Sequence, residues 1–172
     1  MLYLKCTSEV QKIIGLHKEN LTEALPSEGR LGNWYVHRFP VDRRKAFIFM
    51  SETTLLSFIL LQGRKPTTVE SLPNMLLAGL EQLLHMRGLA QNAVDNAFQH
   101  YDTGLYAKTG NRADLGSLND LVKQYQWMIE FAGGLAACDL TKIIMQINEM
   151  PQRRLGWSNS WDLTQSKLQY LS

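Results

Sequence analysis

Residues that commonly anchor chemistry are scarce in this 172-residue sequence. Cysteine occurs twice, at Cys6 and Cys138, and the four histidines, His17, His37, His85 and His100, fall at no HxH or HxxxH spacing. A tetrahedral metal ion needs ligands clustered in pairs, so no metal or other cofactor is implied, and two distant thiols beside apolar neighbours read as buried hydrophobes in a reducing compartment. No apolar run approaches the ~20 residues that span a bilayer, the longest candidate being the interrupted stretch from Thr53 to Leu61. Met1 to Cys6 lacks the basic segment and apolar core of a secretory signal and reads as a short strand. Cytoplasmic placement, with no membrane partner, is the expectation. Charge of one sign is also missing: 18 Lys and Arg against 16 Asp and Glu leave only +2, far short of the balance that would make nucleic acid the obvious partner.

What is present is ordinary globular composition, 45% hydrophobic and 20% charged, enough for one core. Ser8 to Gln11 has the form of a capping box, predicting a short helix that Gly15 ends. Asn33 to Phe39 alternates at a period of two, with Trp34, Val36 and Arg38 on one side and Tyr35, His37 and Phe39 on the other. Lys45 to Met50 is apolar on both faces, and a third strand is expected within Thr53 to Gln62. Connections this short predict an antiparallel meander. Further on, Val69, Leu72, Leu76, Leu80, Leu83 and Leu84 form a helical stripe, a more polar helix is expected from Gln91 to His100, and a fourth strand from Leu105 to Thr109. Two amphipathic helices follow, from Ser117 to Ala132 and from the N-cap Asp139 to Met150, which Pro151 stops. The sequence thus predicts an α+β fold, an antiparallel sheet of about four strands packed against several amphipathic helices. Residues 1–150 form the domain, with a tail over 151–172 that docks as a short helix or lies over the surface.

Two stretches carry chemistry of interest. Residues 30–45 hold Arg30, Arg38, Arg43, Arg44 and Lys45 against Asp42 alone, a local excess of +4. Guanidinium forks on a hairpin turn can take phosphate or carboxylate bidentately, although charged turn residues equally serve solubility. The second stretch runs Thr109-Gly110-Asn111-Arg112 into Gly116-Ser117-Leu118-Asn119, a glycine-bearing loop entering a helix start, where backbone amides and the helix dipole favour an anion. Ser117 also reads as a plain N-cap, and the stretch lacks both the P-loop and the dinucleotide-binding pattern. His37 is a weak general-base candidate, beside the basic turn and in need of a nucleophile.

The segments Leu31 to Val36, Asp42-Arg43-Arg44-Lys45, Thr53-Thr54-Leu55 and Leu115 to Asp120, with the opening Leu4-Lys5-Cys6-Thr7, resemble a short bacterial domain-of-unknown-function family. The resemblance covers residues 1 to about 130, and the chain from Gly133 onward looks like an addition. It implies a bacterial origin and members found alone or beside plasmid and mobile-element domains, with no catalytic residues established. The expected function is therefore an anion- or nucleic-acid-binding module, with Arg38, Arg43, Arg44, Lys45, Thr109, Asn111, Arg112, Ser117 and Asn119 lining one groove. Its partner would be nucleic acid or an acidic protein surface. The alternatives are a metal-independent nuclease or phosphate-directed enzyme using His37, and a protein-interaction or dimerisation domain without catalysis that presents the C-terminal helices or the Trp157 and Trp161 tail to a partner or, as a homo-oligomer, to a second copy.

Overall fold

The computed structural model describes residues 1–169. Strand β1 (Leu2–Cys6) leads into helix α1 (Ser8–Ile14), which Gly15 closes in the left-handed region. Thr7, rather than Ser8, holds the cap position, and Gln11 donates instead to the Cys6 carbonyl. After an irregular stretch come β2 (Trp34–Val41) and β3 (Arg44–Ser51), joined by a two-residue turn, and then β4 (Ser57–Leu61). Helices α2 (Ser71–Arg87) and α3 (Gln91–Phe98) precede β5 (Gly104–Ala107). Helices α4 (Arg112–Phe131), α5 (Leu140–Glu149) and α6 (Ser160–Gln169) complete the order.

The fold is α+β, but the sheet departs from the expected meander. It has five strands in the order β4-β3-β2-β1-β5 and is mixed. The β2, β3 and β4 strands pair antiparallel, as their short connections require, whereas β1 pairs parallel with both β2 and β5. The reason is connection length: α1 and the long segment after it form a crossover that returns the chain to the same end of the sheet. Local pattern reports a strand's existence and leaves its neighbour open.

Helices cover both faces. On one, Trp34 Nε1 donates to the Tyr101 hydroxyl at 3.0 Å, and Trp34, Phe49 and Phe58 form a ring cluster beneath α2. Contact there is close enough that a Cβ on Gly79 would sit 2.5 Å from the Phe58 ring. On the other face, Tyr125 of α4 meets the Ser57 hydroxyl at 3.0 Å and Asn148 of α5 clamps the Ser57 backbone. Over residues 152–169 the chain is docked: α6 packs against α3 and α5, Trp161 is fully buried, and Thr164 reaches Thr54 at 3.1 Å. Trp157 stays exposed.

Candidate anion-binding surfaces

The basic hairpin is the better defined of the two expected surfaces. Asp42 takes a left-handed φ of 51°, which a short polar side chain tolerates, and closes the turn between β2 and β3. Its carboxylate pairs with neither neighbouring arginine; it accepts the Leu135 backbone N–H at 2.6 Å and so fixes the turn following α4 against the hairpin. Glycine at 134 is required there, since its φ is 95° and a Cβ would lie 2.9 Å from the Asp42 carboxylate. Arg43, Arg44 and Lys45 are left exposed, Arg44 donating only to the Gln62 carbonyl at 3.2 Å.

Register adds two cations that the sequence pattern did not single out. Gln62 N–H donates to the Lys45 carbonyl at 2.8 Å, so the chain leaving β4 passes the hairpin two and three residues before the exposed Arg64 and Lys65. Arg43, Lys45, Arg64 and Lys65 enter no ion pair among the described residues. Arg38 does not join them, because its guanidinium is committed to Glu9 at 3.1 Å and Gln62 at 3.0 Å. Seeing Arg64 and Lys65 from sequence needed the strand pairing, which their local context does not encode.

The second surface is built differently from its expectation. Helix α4 begins five residues before Ser117, capped by Asn111, whose side chain accepts from the Asp114 N–H at 3.1 Å. Gly116, expected in the glycine-bearing loop before the helix, is an interior helical residue facing open space. Arg112 is therefore on the helix rather than on a loop before it, and Ser117 and Asn119 lie inside the helix rather than at its start, while Thr109 and Asn111 keep their place at its entrance. The anion that the helix start holds is the chain's own Asp114. It is buried, accepts from the Tyr35 hydroxyl at 2.7 Å and from Arg154 at 2.8 Å, and Arg154 also reaches Ser117 at 2.9 Å. Burial first, then the Asp114 hydrogen bond, push the Tyr35 phenol above its ordinary range.

Beside this entrance lies a cleft of about 500 Å³ at the carboxyl ends of β1 and β5, lined among others by Lys5, Lys108, Thr109 and Asn111. Lys5, however, is paired with Glu52 at 2.8 Å and lies over the Tyr35 ring. The two expected surfaces do not share a groove. Gln126 of α4 donates to the Pro40 carbonyl and Leu135 binds Asp42, so the hairpin sits at the C-terminal end of α4 and Asn111 at its start, about 30 Å apart by helical rise.

His37 has a hydroxyl within reach, Thr7 Oγ1 at 2.8 Å from its Nδ1, and burial lowers its pKa below the usual imidazole value. The carboxylate that could orient the ring, Glu9, is spent on Arg38, so the arrangement lacks the third group of a nucleophile–base relay. No group of three or more His, Cys, Asp or Glu among the described residues could hold a metal ion, and no helix there is long and apolar enough to cross a membrane.

A family profile matches residues 3–163, nearly the whole of this architecture. The chain belongs to DUF6933, a domain of unknown function. Because the DUF6933 match runs through α5 and into α6, the segment after Gly133 is part of the family domain and not an addition to it. No curated protein matches the sequence.

Proposed function

We propose that this DUF6933 domain is a binding module for a polyanionic partner, engaged through the basic end of its sheet. The observation that supports the reading is the Gln62–Lys45 backbone hydrogen bond, which brings the chain leading into Arg64 and Lys65 alongside the hairpin that carries Arg43, Arg44 and Lys45. Five exposed cations lie within three residues of that bond along the chain, and Asp42, the acid among them, is occupied by the Leu135 amide. A cluster of this kind attracts phosphates by counterion release, without sequence preference. A bacterial setting near mobile-element reading frames, which the sequence resemblance implies, would place nucleic acid within reach of it.

The test is binding of the domain to labelled duplex DNA, followed by fluorescence anisotropy across a salt series. Affinity is expected to fall steeply with salt, and Arg43→Glu with Arg44→Glu to cut it by about tenfold or more while lowering the salt slope by about two. Both side chains point to solvent, so the double variant keeps the fold. Undiminished affinity in that variant, or binding indifferent to salt, overturns the reading.

A further inference from the structure

The outward face of α4 carries an aromatic pair that the core does not use. Trp127 and Phe131, four residues apart, stack with ring centroids 5.1 Å apart and planes 14° from parallel, yet are 62% and 80% exposed. Large apolar rings held in stacked register and left in water are costly unless something covers them. Their place in the fold indicates the covering group. Gln126, one residue before Trp127, is bonded to the Pro40 carbonyl, and Leu135, four residues after Phe131, is bonded to Asp42. The pair is thus bracketed along the chain by two contacts with the basic hairpin. Lys123 stands one turn before Trp127 and lines, with Trp127, Met128 and Met150, a shallow apolar depression of about 210 Å³.

We infer that the partner is single-stranded nucleic acid, its phosphates following the basic sheet end while unpaired bases stack on Trp127 and Phe131. The inference rests on the polyanion-binding reading and narrows it. A second copy of this net-positive chain would cover the rings but bring no polyanion to the cations, and an acidic protein surface would meet the cations without presenting a row of free π-faces to the rings. Single strands present both a negative backbone and free π-faces, and proteins that hold them combine a cationic track with aromatic platforms over about 4–16 nucleotides. Duplex DNA keeps its bases stacked internally and offers the rings nothing.

A labelled oligothymidylate of about 12 nucleotides and a duplex of equal length separate these cases in anisotropy titrations. The expected result is tighter binding of the single strand, with tryptophan fluorescence quenched. Trp127→Ala with Phe131→Ala should weaken single-strand binding by about tenfold while leaving heparin binding as it was. If single strand and duplex bind alike and the aromatic variant changes neither, the inference falls and the polyanion reading stands. Loss of that reading has a different signature, unchanged binding of every polyanion by the Arg43→Glu, Arg44→Glu variant. A dimer in light scattering that the aromatic variant dissociates without nucleic acid would assign the rings to a second copy and overturn the inference too.

Discussion

Asn148 illustrates how one side chain can stand in for a strand. β4 is an edge strand, and at its first residue, Ser57, the backbone N–H and C=O have no neighbouring strand to meet. Asn148 supplies both partners, its Oδ1 accepting from Ser57 N at 2.9 Å and its Nδ2 donating to Ser57 O at 2.8 Å, with a further bond to the Ile144 carbonyl. All of this is buried, so truncation strands a donor and an acceptor away from water. Asn148→Ala should destabilise the domain by about 2–4 kcal/mol, measured by urea unfolding. Asn148→Asp, which keeps an acceptor but loses the donor, should also destabilise. A loss under ~0.5 kcal/mol for the alanine variant would mean that water replaces the amide. Nothing in sequence marks this residue, since a lone Asn near a helix end is commonly a solvated cap; its role depends on a strand 91 positions away.

Elements were legible where local chemistry alone decides them. The alternation of Trp34 to Phe39, the leucine stripe of α2 and the Asp139 cap of α5, which accepts the Lys142 N–H at 3.1 Å, all stand as the pattern indicates. What failed was decided elsewhere in the chain: the parallel pairing of β1, and the early start of α4, where Asp114 is stabilised by Tyr35 and Arg154 from distant segments. Of the proposed site, the hairpin cations were readable and their neighbours Arg64 and Lys65 were not. Trp127 and Phe131 did carry a signal, because they fall off the Leu118, Leu121, Tyr125 and Ile129 stripe and so had to face outward. Packing of α2 on the sheet gives a test at this scale. Ala is the better helix former at position 79 by about 1 kcal/mol, but its Cβ would enter the rigid Phe58 ring, itself stacked on Phe49. Overpacking should win, and Gly79→Ala is expected to lower stability by about 1–3 kcal/mol in chemical denaturation. A stabilised variant would show that α2 slides on the sheet without cost.

At the scale of the whole molecule, the core contains several weak acids that are kept neutral, and this sets its behaviour at high pH. Burial pushes the Cys6 thiol from 9.0 up to about 12. Burial also holds the phenols of Tyr101 and Tyr125 above their usual 10.0, in each case against an opposing hydrogen bond, from Trp34 and from Ser57 respectively. With the folded values raised, the unfolded chain releases protons that the folded chain retains. Stability is then complete below the unfolded values and falls as pH rises through them, by about 1.4 kcal/mol per pH unit for each fully shifted group. The loss should begin near pH 9.0, where unfolded Cys6 ionises, steepen above 10.0 as the tyrosines join, and for Cys6 end near 12. Urea midpoints taken from about pH 7 to about pH 11 check this, since a constant midpoint would mean that the ionised forms find solvent within the fold. Cys6→Ala separates the groups: it removes the first part of the decline, between 9.0 and 10.0, and leaves the tyrosine part in place.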